Sequence, residues 1–163
     1  MGLTNNGFFI EAIDYYHCMQ FEGVKVDCFT FPSVIKACTT VFATIEGQKV
    51  RSRIIKLHLD TNIYSCNALL LMYAKVGYAK DSDEIFEGMP VENLVSWNSI
   101  INGYVLASDG QSSLMCFNKI QVDGLKPDKF SIISDLGACA LGHSLLNGME
   151  IHCQVIRRGF QLD

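Results

Sequence analysis

The sequence is poor in charged side chains and contains no long apolar run. Charged residues make up only 18% of the 163 residues, whereas apolar residues make up 49%, and this balance excludes an intrinsically disordered chain. The longest uncharged stretches, such as residues 94–108 and 136–149, are short and interrupted by Asn, Ser and Gly. Because a bilayer-spanning helix needs about 20 apolar residues, the sequence predicts a folded protein that does not cross a membrane.

Paired cysteines and clustered histidines are also lacking. The seven cysteines are an odd number without a C-x-x-C motif, which argues against a disulfide framework or a thiolate metal site and indicates a reducing compartment. The four histidines are scattered, and neither a phosphate-binding glycine loop nor a nucleophile elbow is present. We therefore expect no cofactor, no bound metal and no catalytic residue, that is, a protein that is not an enzyme.

Basic residues are outnumbered, since 13 Lys and Arg stand against 17 Asp and Glu and give a net charge of −4. This sign argues against a protein that coats nucleic acid through its phosphates. Residues 1–9 contain no basic residue and the first arginine is Arg51, so no targeting segment is visible. Any such signal is expected to have been removed or to lie outside this sequence.

What the sequence does contain is an internal repeat. An offset of 101 residues matches Cys38 with Cys139 and Gly47 with Gly148. The offset divides as 35, 31 and 35 residues when every unit ends at an Asp or Asn. The predicted unit ends are Asp27, Asn62, Asn93, Asp128 and Asp163, which define a partial unit 1–27 and the units 28–62, 63–93, 94–128 and 129–163.

Each unit has the pattern of two short helices, seen best in 94–128. Apolar residues recur at helical spacing over 100–105, a Ser-Asp-Gly turn follows at 108–110, and a second apolar stripe covers 114–122 before Gly124. Two such helices cannot bury their apolar faces alone, so the units must stack. We predict one all-α domain, an α-solenoid whose end units associate or continue into further repeats.

Five segments carry a family resemblance along nearly the whole chain: 29–38, 67–77, 85–90, 95–104 and 148–152. They resemble the pentatricopeptide repeats (PPR) of plants, PLS subclass. The resemblance implies a right-handed α-solenoid of about four and a half repeats, in the order partial P or S, L-like, S-like, P-like and L-like. One departure is His58, which stands where residues 23 and 124 are glycine and puts the helix end there in question.

The resemblance implies sequence-specific binding of single-stranded RNA, one base per repeat, in a chloroplast or mitochondrion. Its role there would be C-to-U editing-site recognition or transcript processing. In the family, the fifth and last residues of a repeat contact the base, which selects Asn67 with Asn93 and Asn98 with Asp128. The resemblance favours cytidine for the first pair and uridine for the second, so the predicted RNA core is 5′-CU-3′.

The second residue of a repeat commonly sandwiches the base in this family. The stacking candidates are therefore Phe29, Tyr64, Val95 and Phe130. Packing between helices is the alternative for the aromatic candidates.

Two of the fifth residues, Asn67 and Asn98, have an alternative role as helix N-caps, a position that Asn fills well. The L-like repeats carry Pro32 and Ile133 at the fifth position. Neither has a side-chain hydrogen-bonding group, so we assign no base to these repeats.

Only the unit 28–62 is basic, with five basic and two acidic residues for a net charge of +3. Lys49, Arg51, Arg53 and Lys56 cluster in its second helix and are the candidate phosphate contacts, with a solvated helix face as the alternative. Because such contacts are few, we expect this chain alone to bind RNA weakly.

A protein-interaction or self-associating scaffold with little RNA affinity is the second function hypothesis, with a homo-oligomer or editing-complex proteins as its partners. Some members of the family continue into a cytidine deaminase domain, but its H-x-E and P-C-x-x-C zinc signature is absent from this sequence. The partial unit 1–27 and the stop at a unit boundary indicate a fragment or an unusually short family member.

Overall fold

The computed structural model describes residues 2–141, 148, 149 and 153. Within these residues all regular structure is helical, so the predicted all-α class is confirmed there. The chain forms two compact units, Met1–Val91 and Glu92–Asp163. None of the described helices is both long and apolar enough to cross a membrane.

The first unit contains six described helices, which pack in chain order. Helix α2 packs on α3, α3 packs on α4 and α5, and α5 packs on α6. The helices are α1 (Gly2–Asn5), α2 (Phe9–Phe21), α3 (Thr30–Thr40), α4 (Thr44–Lys56), α5 (Ile63–Val76) and α6 (Ala79–Glu87). Their buried side chains form one core that includes Tyr16, Phe31, Ile35, Val50, Ile54, Met72 and Tyr73.

Two residues matched by the internal repeat, Gly47 and Cys38, have packing roles in this unit. Helix α4 approaches α5 so closely that a Cβ atom at Gly47 would collide with the Met72 side chain. Cys38 is buried, and burial together with the charge of Glu46 raises the pKa of its thiol to about 11. Cys139 is buried as well, so both matched cysteines pack as small apolar residues.

The second unit contains three described helices, α7 (Leu94–Leu106), α8 (Gly110–Val122) and α9 (Lys129–Leu141), each packed on the other two. Helix α7 ends before Ser108, whose φ is 60°, and α8 starts at Gly110, as the sequence pattern predicts. The apolar stripes supply the core, which includes Trp97, Ile100, Ile101, Phe117, Ile120 and Ile132.

The His58 departure does not prevent helix α4 from ending at the expected place. Helix α4 ends at Lys56, and His58 adopts a left-handed conformation with a φ of 55°. Gly23 and Gly124, the equivalent residues, have φ values of 70° and 74°. The turn therefore forms without glycine, but a side chain in this region carries a conformational strain that glycine avoids.

Candidate functional site

Asn residues at the predicted unit ends begin the helices that follow them. Asn62 is the N-cap of α5, where its Oδ1 atom accepts hydrogen bonds from the backbone N–H groups of Tyr64 (3.2 Å) and Ser65 (3.1 Å). Asn93 is the N-cap of α7 and forms a capping box with Ser96, because each side chain binds the backbone N–H of the other residue. One such cap stabilises a helix by about 1 kcal/mol.

Asp128 performs the same chemistry at the start of α9. Its Oδ1 atom accepts hydrogen bonds from the backbone N–H of Ser131 (2.8 Å) and from the Ser131 hydroxyl (3.0 Å). At the start of α3, Asp27 likewise accepts from the N–H (2.8 Å) and hydroxyl (2.7 Å) of Thr30. The four Asp and Asn residues at unit ends in the described region therefore share a helix-starting role that the sequence analysis did not foresee.

Asn67 and Asn98 lie one turn inside their helices. Each is the fifth residue of its helix, α5 or α7, whose N-caps are Asn62 and Asn93. The N-cap alternative for Asn67 and Asn98 is therefore wrong. Asn67 is half-buried and belongs to the first unit, whereas its predicted counterpart Asn93 belongs to the second.

The second unit brings the predicted pair Asn98 and Asp128 into contact. The Asn98 Nδ2 atom donates to the Asp128 carboxylate and lies 3.2 Å from each of its oxygens. The Asn98 Oδ1 atom accepts a 2.6 Å hydrogen bond from the Ser131 hydroxyl. Because a carboxylate only accepts hydrogen bonds, the Asn98 nitrogen must face Asp128 and its oxygen must face Ser131. The orientation of the Asn98 amide is therefore determined by its two neighbours.

The same contacts set the charge of Asp128. Partial burial raises its pKa, but the hydrogen bonds from the Ser131 backbone, the Ser131 hydroxyl and Asn98 outweigh burial and lower the pKa below the ordinary value of 3.8. Asp128 is therefore ionised at neutral pH and acts only as an acceptor.

The hydrophobic residues at the second position of the four units are exposed to solvent. The exposed fractions are 58% for Phe29, 63% for Tyr64, 57% for Val95 and 55% for Phe130. Because more than half of each residue is exposed, the structure argues against packing between helices, the alternative considered for the aromatic residues. In the second unit, Val95 lies one helical turn before Asn98, so the two residues share a helix face.

The equivalent junction in the first unit, between α3 and α5, has no such polar pair. Pro32 takes the fifth position there, and Asn62 takes the last. Ser65, the equivalent of Ser131, is fully buried, and its hydroxyl has no hydrogen-bond partner among the described residues. No base is assigned to the repeat 129–163 either. Its fifth residue, Ile133, is 59% exposed, and its last residue, Asp163, lies outside the described residues.

The structure separates Arg51 from the other three basic candidates. Its Nη1 atom lies 2.9 Å from Asp81, its Nη2 atom lies 3.0 Å from Glu84, and its guanidinium group lies 5.4 Å from the centre of the Tyr73 ring. The Arg51 side chain is only 18% exposed, so it ties α4 to α6 within the first unit. We therefore remove Arg51 from the candidate phosphate contacts.

The remaining basic candidates line a groove of about 290 Å³ between α2 and α4. Arg53 and Lys56 are exposed, and Lys49 forms a 2.7 Å ion pair with Glu46. No group of three or more His, Cys, Asp or Glu side chains in the described part of the chain could hold a metal ion.

Ser131 is the residue of this site that the sequence analysis missed. The available signal was a hydroxyl residue three positions after each predicted unit end, at Thr30, Ser65, Ser96 and Ser131. An Asp or Asn followed three residues later by Ser or Thr resembles a capping box and would have identified the helix starts.

Comparison with protein-family models gives two matches. The model described as PPR repeat matches residues 1–24 and 95–125. The model of the pentatricopeptide repeat domain matches residues 49–104. Together the matched segments cover more than half of the chain.

Curated relatives from Arabidopsis thaliana match over nearly the whole sequence. The chloroplastic pentatricopeptide repeat-containing protein At4g35130 is 46% identical over 156 residues, which are 96% of this chain and 19% of that protein. The mitochondrial protein At3g09040 of the same name is 34% identical over 99% of this chain and 16% of its own length. The chain thus spans about a fifth of the length of these relatives.

Solved structures of the pentatricopeptide repeat protein PPR10 share the fold. The crystal structure with an 18-nucleotide psaJ RNA element superposes with a TM-score of 0.75 at 18% identity, over 90% of this chain and 22% of that one. A crystal structure of PPR10 from maize gives a TM-score of 0.68 at 20% identity, over 93% of this chain and 22% of that one. This likeness confirms the α-solenoid class predicted from the sequence.

Proposed function

Since the chain belongs to the pentatricopeptide repeat family, we propose that it binds single-stranded RNA and reads one base with each repeat that carries a polar pair. The observation that carries this proposal is the contact of Asn98 with both carboxylate oxygens of Asp128. The fold shared with an RNA-bound PPR10 structure supports it. The unit lengths of 35, 31 and 35 residues support the finer assignment to the PLS subclass.

The Asn98/Asp128 pair keeps hydrogen-bonding capacity after its internal contacts are made. A single Asn98 N–H directed between the two carboxylate oxygens serves both contacts and leaves the second N–H to donate. The Asp128 Oδ2 atom accepts only from Asn98 among the described hydrogen bonds, so it retains a lone pair. The pair thus offers one donor beside one acceptor, which is the complement of part of a base's Watson–Crick edge.

The identity of the base comes from the family resemblance, because every base presents a donor next to an acceptor on that edge. For Asn98 and Asp128 the resemblance selects uridine. For Asn67 and Asn93 it selects cytidine. With the chain N-terminus facing the RNA 5′ end, the proposed core remains 5′-CU-3′.

The exposed second-position residues supply surfaces on which a base can stack. Phe29, Tyr64, Val95 and Phe130 are each more than half exposed, so a base can cover them without displacing the core. Stacking on an aromatic side chain contributes about 1–3 kcal/mol per base. We assign Val95 and Phe130 to the base read by Asn98.

Phosphate contacts are assigned to Lys49, Arg53 and Lys56, the basic candidates outside the Arg51 cluster. Since Lys49 is paired with Glu46 and the chain is net acidic, their contribution is small. We therefore propose that this chain binds RNA weakly and with a shallow dependence on salt.

The biological setting is proposed for the whole protein to which these repeats belong. Relatives carry chloroplastic and mitochondrial designations, which supports an organellar location. We propose that the repeats direct C-to-U editing or transcript processing by selecting the RNA site, in company with editing-complex proteins or a second copy of the chain.

Titration of the chain with two short single-stranded RNAs of equal composition, one with a CU step and one scrambled, tests the proposal. The CU RNA should bind more tightly. Asn98→Ala should remove about tenfold or more of that preference, since hydrogen bonds to charged groups contribute about 1.5–3 kcal/mol. Asn118→Ala, an exposed change on α8, is the matched control and should leave the preference intact.

Equal binding of the two RNAs by the unaltered chain would contradict RNA reading. Self-association in light scattering of that same chain would then favour the protein-interaction scaffold.

A further inference from the structure

The Ser131 hydroxyl occupies the junction between the cap of α9 and the fifth residue of α7. It lies 2.6 Å from Asn98 Oδ1 and 3.0 Å from Asp128 Oδ1, and it accepts a 3.3 Å hydrogen bond from the Asp128 backbone N–H. Ser131 is fully buried, so water does not replace these contacts. A single buried hydroxyl therefore contacts both members of the polar pair.

The direction of the hydrogen bond to Asn98 follows from the chemistry of the three groups. Asn98 turns its nitrogen toward the Asp128 carboxylate, so its oxygen faces Ser131 and needs a donor. The Ser131 hydroxyl has one proton, which it shares between two acceptors, mainly Asn98 Oδ1 at 2.6 Å and secondarily Asp128 Oδ1 at 3.0 Å. Without that proton the Asn98 oxygen, on a residue only 8% exposed, would lose its donor, and only the contact with Asp128 would hold the amide.

The first unit supplies an internal comparison. Ser65 stands at the equivalent position of α5 and is just as buried, but its hydroxyl has no hydrogen-bond partner among the described residues. The preceding repeat carries Pro32 where the second unit has Asn98. The Ser131 hydroxyl therefore makes a cross-repeat contact that the Ser65 hydroxyl, which follows a repeat with Pro32, does not make.

We propose that Ser131 is a positioning residue for base specificity: it fixes the Asn98 amide so that one N–H faces the Asp128 carboxylate and the other points toward the base. This proposal rests on the proposed RNA reading by Asn98 and Asp128. It adds Ser131 as a third residue, which acts through these two and does not itself contact the RNA. Its repeat position, the third residue of the following unit, extends the reading unit beyond the fifth and last residues.

The first test compares Ser131→Ala, Ser131→Thr and Ser65→Ala in binding to RNAs that differ only at the base proposed for Asn98. Ser131→Ala should lower the preference for uridine over the other bases by about three- to tenfold, the loss expected for one intramolecular hydrogen bond. Ser131→Thr keeps the hydroxyl, which Thr30 provides at the start of α3, and should restore the preference to about the original level. Ser65→Ala should leave the preference unchanged.

A merely structural role gives a different result. If Ser131→Ala weakens binding to all four RNAs by the same factor, or if the threonine variant fails to rescue base preference although it folds, the positioning role is wrong.

The second test does not depend on RNA binding. The two side-chain N–H resonances of Asn98 should be distinct in the free chain and in Ser131→Thr, and the N–H that donates to Asp128 should be slow to exchange with water. In Ser131→Ala the exchange should become faster by about three- to tenfold, as the amide loses its fixed orientation. Unchanged resonances in Ser131→Ala would overturn the positioning role, whereas absence of any base preference in the unaltered chain would overturn only the RNA reading.

Discussion

The start of α9 in the second unit and the start of α5 in the first use the same capping chemistry but follow different repeats. Asp128 and Asn62 both accept a hydrogen bond from the backbone N–H of a buried serine three residues later. In the second unit the preceding repeat adds Asn98, and a three-residue polar network forms. In the first unit it presents Pro32, and the Ser65 hydroxyl stays without a described partner.

This comparison separates the contacts that begin a helix from the contacts that are proposed to recognise an RNA base. The cap occurs at both junctions, with or without a polar fifth residue in the preceding repeat, so the start of these helices does not depend on the fifth residue. The fifth residue adds the hydrogen-bonding surface. Under the proposed function, the structural and reading roles meet in the last residue of a repeat, whereas the fifth residue lies inside the helix and does not form its cap.

The largest expected effect comes from changing Asp128, the residue with both roles. Asp128→Asn keeps a good N-cap, so α9 should remain stable, but the pair becomes Asn with Asn, as in the repeat proposed to read cytidine. We expect the preference at this base to move from uridine toward cytidine by about tenfold or more, because a hydrogen bond to a charged group is replaced by a neutral one. Competition binding with RNAs that differ at this base measures the change.

Asp123→Asn is the control for this prediction, since it removes the same charge from an exposed residue at the end of α8. A uridine preference that survives Asp128→Asn, or that is lost equally in Asp123→Asn, would contradict the reading role of Asp128.

Pro32→Asn should bring the first unit closer to the second. The new amide would give the Ser65 hydroxyl an acceptor and would form an Asn pair with Asn62, for which the family resemblance favours cytidine. We expect about a three- to tenfold preference for cytidine at the base immediately 5′ of the CU step, the value of one added hydrogen bond. Binding to RNAs that vary at that base measures it.

Pro32→Ala is the matched control, because it removes the proline ring without supplying an amide. If Pro32→Ala produces the same cytidine preference, the effect comes from relief of the proline backbone and the hydrogen-bond explanation fails.

The turns after the second helices offer a smaller difference between the units. His58 and Gly124 have the same left-handed backbone, with φ values of 55° and 74°. His58→Gly should raise the free energy of unfolding by about 0.5–1 kcal/mol, because relief of strain exceeds the added flexibility of glycine in the unfolded chain. Urea denaturation measures the change, and Gly124→Ala should act in the opposite direction. A destabilising His58→Gly would show that the imidazole makes a contact worth more than the strain.

The smallest expected effect is that of acid, which should weaken the Asp128 cap and leave the Asn62 cap unchanged. The Asp128 pKa is lowered in the folded chain, so its contribution to stability is complete above its unfolded-state pKa, near 3.8, and is lost as the pH falls through the lower folded-state pKa. Asn62 does not titrate. In an NMR titration the Ser131 backbone N–H should shift with a midpoint below 3.8, while the Ser65 N–H should not follow it. A midpoint above that value would mean that burial outweighs the hydrogen bonds.

The fold was accessible from the sequence because its signals are local and repeated. The apolar stripes before and after Ser108 predicted α7 and α8, and the structure places both helices there. The family resemblance selected Asn98 and Asp128, the fifth and last residues of one repeat, and the structure brings them within hydrogen-bonding distance.

The sequence was less informative about contacts between distant residues. The basic cluster gave no sign that Arg51 pairs with Asp81 and Glu84, because those residues lie about 30 positions away and meet it only after α4 and α6 pack. Ser131 was missed for a similar reason, since its contact with Asn98 joins two repeats. The N-cap role was the alternative considered for the fifth residues, whereas the last residues of the preceding repeats perform it, about one helical turn earlier.

The last residue of each repeat also caps the helix that follows it. The side chains that this position tolerates are therefore restricted by folding. Asp, Asn, Ser, Thr and Gly begin helices well, and most other side chains do not. The substitutions at Asp27, Asn62, Asn93 and Asp128 that keep the helix start are thereby limited to these few residue types. Under the proposed function, a change of RNA target would then come mainly from exchanges among these residue types and from changes at the fifth residue, one turn further along each helix.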